Sequence, residues 1–256
     1  MKKLVFALLT FTVMASAAVP ASATWTVTNL KPVGSTYSRA RAVRDGQQVG
    51  YASIGGVQRA GLWNGTAGSW VDLNPAGSTS SAAYAVSGGK QAGAVLVGGV
   101  QRASLWSGSA ASIVDLHPAG STQSNVYGIS GGQQAGYATI GGIDRASLWN
   151  GTAASWVDLG PAGATQSIAT SASGANQAGY ATVGGLQRAS LWNGTAASWV
   201  DLNPVGSISS AAWAVEGGQQ AGSAVVGGVQ RASLWSGTAG SWVDLVLLNE
   251  MTSATR

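Results

Sequence analysis

Tryptophan returns in this 256-residue chain at Trp63, Trp106, Trp149, Trp192 and Trp235, every 43 residues, with nothing inserted or lost between copies. Around each lies a variant of RASLWNGTAASWVDL, residues 188–202: a short apolar run ending in Trp192, an Asn-Gly pair, and a second run opening at Trp199. A fixed period of this size marks one supersecondary unit that buries its apolar surfaces only against neighbouring copies. The unbroken period predicts one repeat domain rather than two.

The unit reads as four strands. In residues 81–118, Ala82–Val86 alternates small and larger side chains and stops at Gly88-Gly89. Gln91–Val97 follows and stops at Gly98-Gly99, then come Val100–Trp106 and Ile113–Leu116 before Pro118. Runs of this length closed by Gly, Pro or Asn-Gly are short antiparallel strands, and Asn64-Gly65, Asn150-Gly151 and Asn193-Gly194 read as turns between the third and fourth. Glycine density (38 residues) and the lack of any long 3.6-residue periodicity exclude helices. Four strands per 43 residues, five times over, predict an all-β, five-bladed β-propeller; a β-solenoid with two coils per repeat is the alternative. Thr24–Pro32 matches the end of a repeat, so the chain starts with a sixth copy of the last strand, which suits a ring whose two ends meet.

Charged residues are only 9% of the chain and cysteine is absent, so the fold rests on apolar and backbone interactions without disulfides. Residues 1–23 carry the marks of a secretory signal: Lys2 and Lys3, an apolar run from Leu4 to about Val13, and Ala21-Ser22-Ala23 as a cleavage site. The run is too short to span a bilayer. The expected organisation is a signal peptide (1–23), one propeller domain (24–248) and a C-terminal tail (249–256), with a secreted, extracellular or periplasmic destination. Removing Lys2 and Lys3 leaves 11 basic and 9 acidic side chains, a net charge of +2 with no basic stripe, so nucleic acid is not an expected partner.

The wording QAGYATIGG, QRASLW, SWVDLNPAGS and SSAAYAV resembles the bacterial extracellular HAF repeat family over the whole mature chain, and the order of segments is similar to a kelch blade. The loop after Gly-Gly is shorter than in kelch, and no membrane-sorting tail follows Leu248. The resemblance implies an exported repeat protein and no particular activity.

Several polar residues recur once per copy. With Trp63 facing Trp70 across the hairpin, period two puts Arg59, Gly61 and Asp72 on the tryptophan face and Ala60, Leu62, Val71 and Leu73 on the other. The columns Arg59/102/145/188/231 and Asp72/115/158/201/244 are then expected to pair as scaffolding. The columns beginning at Gln48 and Ser38 are expected to fix strand ends.

Catalytic constellations are scarce. His117 is the only histidine, in a column otherwise filled by Asn74, Gly160 and Asn203, and reads as an exposed loop residue; no metal or other cofactor is expected. The unrepeated acids Asp45, Asp144, Glu216 and Glu250 are far apart in sequence, so no enzymatic activity is expected. Departures from the repeat are more telling. One first-strand column reads Arg41, Tyr84, Tyr127, Thr170, Trp213, and two residues back stand Arg39, Ala82, Asn125, Ile168, Ala211. First strands of a propeller line its channel, so Arg41, Tyr84, Tyr127, Trp213, Arg39 and Asn125 are the candidate ligand-binding residues. Aromatic faces beside hydrogen-bonding groups suit a glycan or neutral cell-surface polymer, recognised in a multivalent way. Filling the channel or packing on the next blade is the structural alternative.

Overall fold

The computed structural model describes residues 26–245, and the expected signal peptide and C-terminal tail lie outside them. The chain is an all-β, five-bladed β-propeller of four-stranded antiparallel sheets, each in simple sequential order. Blade 1 spans Ser35–Asp72, blade 2 Ser80–Asp115, blade 3 Ser121–Asp158, blade 4 Ala164–Asp201 and blade 5 Ser207–Asp244. All five contribute to the wall of one cavity, which a solenoid would not allow.

The second and third strands of each blade are joined by two glycines; Gly55 and Gly56, at φ 60° and 79°, take the left-handed conformation of a two-residue hairpin turn. The Asn-Gly pair does not act alone. It opens a longer loop containing a single 3-10 turn, Ala67–Ser69 in blade 1, where the Ser69 Oγ accepts the Asn64 N–H at 2.8 Å. This loop shortens the fourth strand to two residues, Val114–Asp115 in blade 2 in place of the expected Ile113–Leu116.

The repeated polar columns behave as scaffolding. Five Arg–Asp ion pairs, 2.6–3.0 Å long, tie third strand to fourth. Each repeated glutamine spans the outer hairpin: Gln91 donates to Gly89 O (2.9 Å) and accepts the Gly108 N–H (2.8 Å). The serines join neighbouring blades, Ser81, Ser124, Ser167 and Ser210 each accepting an alanine N–H of the preceding blade at 2.8 Å.

Packing is strictly between neighbours. Four apolar clusters join blade 1 to 2, 2 to 3, 3 to 4 and 4 to 5, each filled by a fully buried tryptophan of the later blade: Trp106, Trp149, Trp192 and Trp235. Among the described residues no such cluster joins blade 5 to blade 1, and Ala40, Val43, Ala221 and Ala232 are exposed where their equivalents at the other contacts are buried, so the described residues leave the expected closed ring open at this seam. The expected strand at Trp25–Leu30 is not formed over its described part: residues 26–30 are irregular, and Val27 is 99% exposed. Composition explains this. Counting back by the repeat, Asn29 stands where Asp244 pairs with Arg231 at 2.6 Å, and Val27 stands where the Trp242 indole donates to Ser233 at 2.9 Å. An amide and a valine cannot replace a charge-assisted pair and an indole hydrogen bond, so the fifth blade keeps its own last strand.

The channel as a candidate binding site

The first strand of every blade carries a β-bulge at one position. Pairing to the second strand skips Arg41, Tyr84, Tyr127, Thr170 and Trp213, as where Val126 pairs Gly136, Gly128 pairs Ala135, and Tyr127 is left over. A bulge releases one residue from the ladder and re-aims its side chain. The partner strand permits it with a glycine. A Cβ on Gly136 would lie 1.9 Å from the Asn125 carbonyl oxygen, and Gly50, Gly93, Gly179 and Gly222 face the same obstruction at 1.9–2.0 Å.

The released side chains converge. Arg41, Tyr84, Tyr127, Ile168, Thr170, Tyr180 and Trp213 line one cavity of 440 Å³. The Arg41 guanidinium lies 5.5 Å from the Tyr84 ring centre, a cation–π contact. Tyr84 and Tyr127 lie 5.7 Å apart, Tyr127 stacks on Tyr137 at 6.0 Å, and Trp213 meets Tyr180 edge-on at 6.1 Å. Burial pushes the Tyr84, Tyr127, Tyr137 and Tyr180 hydroxyls above the usual phenol range, so all four remain neutral, hydrogen-bonding groups at physiological pH. Thr170 is spoken for, its hydroxyl donating to Ala212 O at 2.8 Å across the blade boundary.

Of the six residues singled out from sequence, Arg41, Tyr84, Tyr127 and Trp213 line the cavity, whereas Arg39 and Asn125 do not. Arg39 is exposed and lies 5.9 Å from the Tyr37 ring. Asn125 is buried behind the wall, where its hydrogen bonding favours ionisation of Tyr84 and Tyr127 but is outweighed by burial. Tyr180 escaped sequence reading. It sits in the second-strand column Tyr51, Ala94, Tyr137, Tyr180, Ser223, whose irregularity matches that of the bulge column and was the available signal.

His117 is not an exposed loop residue. It is half-buried, with Nδ1 2.7 Å from Ser124 Oγ and Nε2 3.1 Å from Ser121 O. Asn74 and Asn203 accept the equivalent serine hydroxyls at 2.6 Å, so His117 stands in for an asparagine. The Ser121 carbonyl oxygen beside Nε2 can only accept, so in the neutral ring Nε2 carries the proton and Nδ1 accepts from the Ser124 hydroxyl. The Asp115 carboxylate binds Arg102 and the His117 backbone N–H rather than the ring, so these groups do not form a catalytic relay. Desolvation, reinforced by Arg102, lowers the His117 pKa below 6.5. The unfolded chain then binds the proton first, so this contribution to stability is complete above about pH 6.5 and is lost as pH falls from there to the lowered value. Melting curves between about pH 7.5 and about pH 5 should show the wild type losing more stability than His117→Asn, which keeps the acceptor without the titration.

Among the described residues no group of three or more His, Asp or Glu side chains is placed to hold a metal ion. Asp144 accepts from Thr139 (2.7 Å) and Gln166 (3.2 Å), and Asp45 from the Gly88 N–H (3.4 Å).

A neighbour-packed, five-bladed propeller with one aromatic channel is the class that fold and site define. No family model matches the sequence, and no curated protein matches it. Its structure is similar to a putative TolB from Agrobacterium tumefaciens (11% identity over 76% of this chain and 75% of that one, TM-score 0.55). It is also similar to TolB from Acinetobacter baumannii (12% identity, 77% and 50%, TM-score 0.50) and to a puromycin hydrolase (12%, 84% and 39%, TM-score 0.63). At these identities the likeness is one of fold, and the chain spans about two fifths of the hydrolase. No helix among the described residues is long and apolar enough to cross a membrane.

Proposed function

We propose that this is an exported, non-catalytic interaction propeller of HAF type that binds a carbohydrate or carbohydrate-like polymer in its channel. The observation that carries the reading is the 440 Å³ cavity in which five bulges bring Arg41, Tyr84, Tyr127, Thr170 and Trp213 together with Tyr180. That volume is within the range of small-ligand sites, about 300–1,000 Å³. Aromatic faces stack on the apolar faces of sugar rings, while neutral phenols and one guanidinium hydrogen-bond to hydroxyl and ring oxygens. Because the bulge column differs from blade to blade, the channel is a single site rather than five equivalent ones, and multivalency has no support in this geometry. The signal-like residues 1–23 and the resemblance to exported repeat proteins support a periplasmic or extracellular location.

Glycan-array screening followed by titration of intrinsic tryptophan fluorescence tests the reading. Trp213 is 52% exposed, so Trp213→Ala should leave the melting temperature nearly unchanged. It should weaken glycan binding at least about tenfold, equivalent to about 1.4 kcal/mol. Absence of binding across neutral and acidic polysaccharide classes would leave the column as channel filling and the protein as a purely structural repeat.

A further inference from the structure

The four blade-to-blade contacts are copies of one interface, and the chain presents both halves of a fifth that it does not make. On the trailing side of each blade the same alanine donates its N–H to the next blade's serine; Ala60, Ala103, Ala146 and Ala189 are all fully buried there. Their counterpart Ala232 is exposed. Leu73, Leu116, Leu159 and Leu202 are fully buried, yet the equivalent Leu245 is 38% exposed, and Ala221 is exposed where Val49, Ala92, Ala135 and Ala178 are fully covered.

The matching surface lies on the leading side of blade 1. Val43 is 70% exposed, whereas its equivalents Val86, Ile129, Ala172 and Val215 are at most 8% exposed. Ala40 is exposed where Ala83, Val126, Ala169 and Ala212 are buried, and the Ser38 hydroxyl lacks the alanine N–H that its four counterparts receive. Trp63, at the outer end of this face, is fully buried, which confines the open surface to the inner strands.

We propose that the trailing face of blade 5 in one molecule packs on the leading face of blade 1 in a second copy of the same chain, with the Ala232 N–H donating to Ser38 Oγ across the contact. The occupant follows from the interface itself: the leading side of a repeat fits the trailing side of the one before it four times within the molecule, and a second copy carries the inner-strand part of that surface, the covered Trp63 taking no part. The contact is head-to-tail, so each molecule keeps one free face and growth continues. It does not depend on any ligand in the channel.

Sedimentation of the purified chain from low to high micromolar concentration reads the assembly. The expected result is dimers and longer oligomers that grow with concentration. Ala232→Arg and Val43→Arg, both at exposed positions and so expected to melt like the wild type, should each be monomeric, with association weakened at least about a hundredfold. Mixed, they should form a dimer that grows no further, because each variant retains the face the other has lost. Ser38→Ala, which removes only the acceptor, should weaken association without adding charge. A wild type that stays monomeric throughout overturns the proposal, whether its seam stays open or closes on itself with the Ala232 amide protected from exchange; so does association that survives Ala232→Arg.

Discussion

Gly136→Ala should lower the stability of the whole domain by at least about 3 kcal/mol, because the added methyl has nowhere to go except into backbone. Its Cβ would lie 1.9 Å from the Asn125 carbonyl oxygen, 2.8 Å from the carbonyl carbon and 2.9 Å from the Val126 Cα. Relief requires the first strand of blade 3 to move away from the second, which removes the bulge that aims Tyr127. Chemical denaturation read by tryptophan fluorescence gives the loss. A variant that folds as well as the wild type would mean that the close approach of these two strands does not exist in solution. Gly132→Ala is the informative comparison: its Cβ comes no nearer than 4.0 Å to Asn150, but its φ of 83° is left-handed, so its cost is backbone strain of about 1–2 kcal/mol rather than collision.

The second large effect belongs to the tryptophans between blades. Trp149 is fully buried among Leu105, Leu116, Val126 and Ile129, and Trp149→Ala should cost about 3–5 kcal/mol through lost burial and the cavity left behind. Trp149→Phe should cost far less, about 2 kcal/mol or below. The reason is that the Trp149 indole N–H, like those of Trp63, Trp106, Trp192 and Trp235, finds no acceptor among the described residues. Burying an unpaired donor is unfavourable by about 1–3 kcal/mol, so phenylalanine loses ring area but also sheds that cost. Urea titrations of the two variants measure the difference. If phenylalanine proves as damaging as alanine, the indole nitrogen is bonded in solution and the column serves for hydrogen bonding as well as packing.

Much of this architecture was legible in the sequence because repetition writes each requirement five times. The strand pattern, the facing tryptophans, the Arg59–Asp72 type of ion pair and the convergence of Arg41, Tyr84, Tyr127 and Trp213 all follow from period two within a fixed 43-residue unit. What escaped were features that occur once or that depend on close backbone approach. The glycine at position 136 and its equivalents read as part of a Gln-x-x-Gly phrase, but nothing in composition says that a carbonyl sits under the missing Cβ. His117 lies in a loop, as expected, but is not exposed, and only the Ser124 hydroxyl shows that its ring nitrogen does the work of the amide oxygen of Asn74 and Asn203. The open seam was hidden by the similarity of residues 24–32 to a last strand. Three substitutions within it, at positions 27, 28 and 29, remove what would anchor it.

The bulge has a further consequence for how such a scaffold can be altered. At residue 127 the chain owes nothing to the ladder, since its neighbours 126 and 128 carry the pairing and glycine 136 absorbs the extra length. Chemically unlike side chains occupy this spot in the five blades, a cation, two phenols, a hydroxyl and an indole, while the sheets around them keep one geometry. The chemistry of the lumen and the frame are thereby largely written in separate letters, so an engineer can redraw four of these residues without touching the frame, Thr170 alone being tied to the next blade through Ala212 O.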